Sequence, residues 1–139
     1  MRPIGRAWLV LLATGSVLAA GCQRRPEAAA PTPTSVTVTP GPDAVQAVTV
    51  SVTEQYRFVP DTITVSVGRV RMTFRNTGST PHNLTFRDPV AGGKPVATAS
   101  LRGGGEESLD FAVSTPGQYR FVCTIHEALG QTGVLKVRP

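Results

Sequence analysis

Thr62-Ile63-Thr64-Val65-Ser66-Val67-Gly68-Arg69-Val70-Arg71-Met72-Thr73-Phe74-Arg75-Asn76 alternates: apolar side chains stand at every second position, at Ile63, Val65 and Val67 and again at Val70, Met72 and Phe74. Successive side chains of an extended chain point to opposite faces, so each run offers one apolar face to a core and one polar face to water. Gly68 separates the runs, and Asn76-Thr77-Gly78 closes the second with residues suited to tight reversals. The stretch is a pair of half-buried strands, and no window around it keeps a 3.6-residue apolar period.

Outward from this pair the same texture fills residues 44–139, a length suited to one small domain with a single core. Candidate strand segments are 45–53, 55–59, 62–67, 70–76, 83–87, 96–101, 107–112, 118–123 and 133–137, with further turn signals at Gly92-Gly93, Gly103-Gly104-Gly105 and Pro116-Gly117. Short strands with this punctuation predict an all-β, Greek-key β-sandwich of about seven or eight strands. No repeat of fixed period is visible.

Toward the N-terminus the texture changes twice. Arg2 and Arg6 precede an apolar run from Ala7 to Ala20, which has the length of a secretory h-region and falls short of the roughly 20 apolar residues that span a bilayer. Leu18-Ala19-Ala20-Gly21-Cys22 resembles the bacterial lipobox, although Ala19 stands where leucine is commoner. The resemblance implies a lipoprotein signal over residues 1–21, a lipidated Cys22, and an exported chain tethered to the extracytoplasmic side of the membrane, in the periplasm or at the cell surface. An ordinary cleaved signal, with Cys22 incidental, is the alternative. Residues 22–43 are rich in Pro, Thr and Ala and carry too little apolar area to offset their ordering entropy, so they are expected to form an extended tether.

Charge points to no particular partner. Removing Arg2 and Arg6 with the signal lowers the formal charge from +5 to +3, and the remaining arginines are scattered, without a basic cluster interleaved with aromatics. Nucleic acid is excluded on that ground. Cysteine is more telling. The chain has two cysteines, and with Cys22 lipidated Cys123 is left without a disulfide partner in an oxidising compartment. A thiol there is exposed to oxidation unless it is buried or held by a metal.

The neighbours of Cys123 favour the metal. His126 follows it by three residues in Cys123-Thr124-Ile125-His126-Glu127-Ala128-Leu129-Gly130-Gln131-Thr132-Gly133, where a tight loop at a strand end can aim both side chains at one ion. The chain's other histidine is His82, in Thr80-Pro81-His82-Asn83-Leu84, just before another strand. Two histidines and one cysteine are the trigonal donor set of mononuclear blue copper, which commonly adds a long axial ligand such as Met or Gln. Taken singly, His82 reads as a loop histidine, Cys123 as a buried structural thiol and Asn83 as a turn residue bonding its own backbone.

Residues 44–139 resemble a cupredoxin of the plastocyanin and pseudoazurin type over nearly their whole length. Phe58-Val59-Pro60-Asp61-Thr62-Ile63-Thr64-Val65-Ser66-Val67-Gly68 is similar to the family's opening strands, and His82-Asn83 to its first ligand and the asparagine that follows. In the ligand loop Cys123, His126 and Gly133 match, while Gln131 stands at the methionine position. The resemblance implies one copper held by His82, Cys123 and His126, with Gln131 as axial ligand as in the phytocyanin relatives. A harder donor than thioether favours Cu(II) and lowers the reduction potential. It also implies that Asn83 ties its loop to Thr124 and donates its backbone N–H to the sulfur, supporting the ligands from outside.

The expected function is single-electron transfer by a monomer with redox-protein partners, docking through an apolar collar of Pro81, Ala128 and Leu129 around the edge of His126. No Ser-His-Asp set or substrate-activating acid stands beside these residues, so no enzyme is expected. A copper-binding protein for storage, delivery or tolerance without redox cycling is the alternative, and a metal-free β-sandwich module a second.

Overall fold

The computed structural model describes Thr32 and residues 34–90, 92–93 and 95–139. The signal segment, Cys22 and most of the stretch read as tether lie outside the described residues. Among the described residues there are nine strands: β1 (Ser35–Thr37), β2 (Val45–Val52), β3 (Phe58–Val59), β4 (Thr62–Ser66), β5 (Gly68–Asn76), β6 (Thr85–Phe86), β7 (Glu106–Val113), β8 (Gly117–Val122) and β9 (Thr132–Arg138). One sheet runs β1-β4-β9-β8-β6 and the other β3-β2-β5-β7, the two layers of the expected all-β sandwich.

The quoted stretch becomes β4 and β5, one in each sheet. Ile63 and Val65 from β4 meet Val70, Met72 and Phe74 from β5 in the buried core. β5 pairs antiparallel with β7, and on the polar face they share, Arg71 pairs with Asp110 at 2.8 Å, Arg75 with Glu106 at 2.6 Å, and the Thr73 and Ser108 hydroxyls meet at 2.9 Å. Such cross-strand pairs contribute roughly 0.2–1 kcal/mol each, so they fix register more than they hold the fold. Stability comes from the apolar interior, at about 1.5–3 kcal/mol per fully buried large side chain. At its centre Phe58 sits 5.2 Å from Phe121 of the facing sheet and 6.1 Å from Phe74, ring centroid to ring centroid. Gly133 is required here, because a Cβ would strike the Phe121 ring and come within 2.8 Å of the Asp61 carbonyl oxygen.

Several segments differ from expectation. Val67, expected on the core face, is 40 % exposed in the bend between β4 and β5, and the segment 83–87 is a strand only at Thr85–Phe86. Residues 96–101 form no strand and contribute only isolated bridges, Ala97 to Thr85 and Leu101 to His82. Residues 55–59 pair only at Phe58–Val59, because Tyr56 turns through a left-handed conformation with φ 53°. Within the stretch read as tether, Ser35–Thr37 pairs in parallel with Thr62–Thr64 of β4, and Val36 and Val38 pack against the core. Alternation carries over five residues, Ser35-Val36-Thr37-Val38-Thr39, with only two apolar positions, too few to stand out from a Pro/Thr-rich background.

Candidate metal centre

The segments carrying the candidate ligands meet at one end of the sandwich. Between β8 and β9 the chain closes a narrow loop: the Cys123 N–H donates to the Gln131 carbonyl at 3.1 Å, and the His126 N–H to the Cys123 carbonyl at 3.1 Å. A single 3₁₀ turn, Glu127–Leu129, follows His126 and ends at Gly130, whose φ of 82° lets its N–H reach back to the Glu127 carbonyl at 2.9 Å. That left-handed residue is why a glycine stands between the histidine and Gln131. His82 is fixed separately, exchanging backbone hydrogen bonds of 3.0 and 2.7 Å with Leu101.

The structure brings Cys123, His82 and His126 together. Cys123 Sγ lies 3.8 Å from His82 Nδ1 and 3.6 Å from His126 Nδ1, and the two nitrogens are 3.1 Å apart. An ion bonded at about 2.0–2.1 Å to nitrogen and about 2.3 Å to sulfur, at trigonal angles, would set these edges near 3.5 and 3.7 Å. The triangle therefore fits one metal with small relaxation. Cys123 and His82 are fully buried, and His126 is half-buried. Burial, and then the neighbouring His126 ring, push the pKa of His82 below its ordinary value, while the Gln131 side chain opposes the shift. His82 is thus kept neutral with a lone pair to offer. Two facing Nδ1 atoms can share only one proton, whereas a cation satisfies both lone pairs.

Gln131 is fully buried against this cluster, and neither atom of its side-chain amide has a hydrogen-bond partner. It lies near enough to His82 to influence that ring, yet outside hydrogen-bonding geometry with it. A buried amide left unpartnered costs about 1–3 kcal/mol, so its retention points to something that the protein atoms do not supply. The donor chemistry and the orphaned amide both fit a copper ion held by His82, Cys123 and His126, with Gln131 beside it.

Asn83 and Thr124 form a two-bond strap: the Thr124 N–H donates to Asn83 Oδ1 at 2.9 Å, and Asn83 Nδ2 to Thr124 Oγ1 at 2.8 Å. Among the described residues the contacts of Sγ at hydrogen-bonding range are the two imidazoles; the Asn83 backbone N–H, expected to donate to it, is not among them. Pro81, Ala128 and Leu129 are exposed, and Ile125 of the ligand loop, overlooked in the sequence, is 53 % exposed, as Leu129 is at 58 %. Glu127 clamps the loop to the sheet through Arg87 and through Arg120 at 2.9 Å, and Arg87 chiefly holds its carboxyl below the ordinary range.

Asn76, read in the sequence only as part of a turn, has a larger part here. This fully buried side chain donates to the Thr80 and Leu101 carbonyls at 2.8 and 2.9 Å and accepts from the Gly78 N–H at 3.0 Å, shaping the loop that delivers His82. It is one of only two asparagines in the chain, and its place before Thr77-Gly78 marks it as a turn residue without revealing these buried contacts.

A cupredoxin-like domain family matches residues 11–137. Plastocyanin of Dryopteris crassirhizoma is 37% identical over 94 residues, covering 60% of this chain and 89% of the fern protein. The chloroplastic plastocyanin minor isoform of Arabidopsis thaliana is 34% identical over 88 residues, covering 58% of this chain and 50% of its own length. The chain thus spans about half of that relative. The structure of dithionite-reduced auracyanin from the photosynthetic bacterium Roseiflexus castenholzii shares the fold at a TM-score of 0.59 and 24% identity, over 67% of this chain and 97% of the auracyanin.

Proposed function

The chain belongs to the cupredoxin-like family, and from that premise we propose that it is a mononuclear blue-copper protein that carries single electrons between redox proteins. One observation carries the reading: a cysteine sulfur and two imidazole nitrogens, drawn from segments 41 residues apart, all lie within 4.8 Å of one another. We place His82, Cys123 and His126 as copper ligands, Gln131 as the axial donor, and Asn83 and Thr124 as their outer support. The role is that of an electron carrier and not of an enzyme.

Bound copper supplies a one-electron couple at the donor set. The protein's part is to keep that set from moving. Closure of the loop through Cys123 and Gln131, the Asn83–Thr124 strap and the Leu101 bridge to His82 hold the donors in one arrangement, so little of the protein reorganises with charge. The partly exposed His126 provides the port, and the exposed Ile125 and Leu129 of the same loop offer apolar surface for brief docking. Lipid on Cys22 would keep the domain at the extracytoplasmic face of the membrane, where it works as a monomer.

Titration of the reduced protein with Cu(II), followed by visible absorption and electron paramagnetic resonance, tests the site. An intense thiolate-to-copper band saturating at one equivalent is expected, and Gln131→Met should raise the reduction potential. Absence of the band in folded, reduced protein would sink the proposal; a potential unmoved by Gln131→Met would remove the axial role alone.

A further inference from the structure

The turn between β2 and β3, residues 53–57, reaches both ligand-bearing segments. On one side Glu54 accepts hydrogen bonds from the Ser79 N–H and, at 3.2 Å, from Thr80 Oγ1, just before His82. On the other, Arg57 Nη1 donates to the Gly130 carbonyl of the ligand loop at 2.7 Å. Between these anchors Tyr56 lays its ring on both imidazoles. Its centroid is 4.6 Å from that of His126 at an interplanar angle of 44°, and 5.9 Å from that of His82 at 62°, while the imidazoles are 4.7 Å apart. The three rings form a closed cluster of the tilted and edge-on kinds that aromatic groups favour.

Tyr56 does this from the left-handed region, at φ 53°. A bulky residue is uncommon there and strained. Such strain persists where the surroundings over-determine it, and it gathers at functional sites. Glycine would relieve the backbone entirely, so the ring is what the strained position provides.

We infer that Tyr56 is a positioning residue: braced by Glu54 and Arg57, its ring holds both imidazoles in their inward pose, so that the ligand triangle exists before a metal enters it. The geometry stands alone; its consequence for copper rests on the function proposed above. A wall supplied by a third segment leaves less ordering to be done when the ion binds.

The test compares the full chain with Tyr56→Phe, which keeps the ring, and Tyr56→Gly, which removes both ring and strain. In metal-free protein, nuclear magnetic resonance should give one sharp set of imidazole signals for the parent and Tyr56→Phe, and broadened or multiple His126 signals for Tyr56→Gly. Copper affinity, measured by chelator competition, should fall about 10- to 100-fold in Tyr56→Gly and stay within about twofold in Tyr56→Phe. The paramagnetic spectrum of Tyr56→Gly should change with it. Unchanged imidazole signals and an affinity within about twofold in Tyr56→Gly would overturn the inference. If Tyr56→Gly does not fold, Tyr56→Leu, which keeps bulk and strain without an aromatic face, is read by the same criteria. A parent that develops no thiolate band overturns the copper reading instead, and the metal-free signals then decide the role of Tyr56.

Discussion

At the scale of single residues, the ligands are held from outside their own segments. The Asn83 amide bonds the residue after Cys123, and the Gly130 carbonyl accepts from Arg57. Glu54 is the exposed counterpart on the His82 side, and hydrogen bonding, first from the Ser79 backbone N–H, holds its carboxyl below the ordinary range. A carboxylate whose pKa is depressed on folding adds stability above its unfolded value, which is lost as pH falls through the folded value. Glu54→Gln should therefore melt below the parent by a constant margin at neutral pH, and the margin should shrink on acidification below about pH 4.3. Thermal unfolding of both proteins from pH 7 to pH 3 checks this. A margin independent of pH would mean that Glu54 acts through shape and not charge. Being exposed, the contact should contribute modestly, so the margin will be small.

Among the elements, β1 carries a consequence for where the domain begins. It covers the outer edge of β4 through parallel pairing at Ser35–Thr37, and the Val38 N–H donates to the Thr64 carbonyl at 2.8 Å. A chain beginning at residue 44 would leave β4 as an unpaired edge and expose core contacts of Val36 and Val38, while one beginning at residue 32 keeps both. The shorter chain should unfold at lower denaturant, by about 1–3 kcal/mol from two lost apolar contacts, and should self-associate more readily. Chemical denaturation and light scattering of the two chains measure this; equal midpoints would show that β1 adds nothing to the fold. Elsewhere the elements cooperate across layers. Gln46 of β2 exchanges hydrogen bonds of 2.8 and 2.7 Å with the backbone of Ser66 at the end of β4, stitching one sheet to the other far along the chain.

For the molecule as a whole, metal binding and stability should be linked, since the ligand triangle exists only in the folded state. Copper at about 100 times its dissociation constant adds about 2.7 kcal/mol to folding. In a domain of this size that raises Tm by about 10 °C or more, and Cys123→Ser should abolish most of the rise. Calorimetry of metal-free and copper-loaded protein checks it, and an equal rise in Cys123→Ser would place the copper elsewhere. The sequence by itself determined the strand pattern from Ile63 to Phe74 apart from Val67, because a period of two is a property of the local backbone, and it determined the ligand inventory, because a chain with two histidines and one cysteine in its domain has few ways to build a soft metal site. Only the tertiary structure decided that Ser35–Thr37 joins a sheet, that Asn76 shapes the His82 loop, and that Tyr56 closes over both imidazoles. Those roles depend on partners 25 to 70 residues away, as with Asn76 and Leu101 or Tyr56 and His126. Contacts over such separations are set by the packing of two sheets, which leaves no period or spacing in the sequence to reveal them.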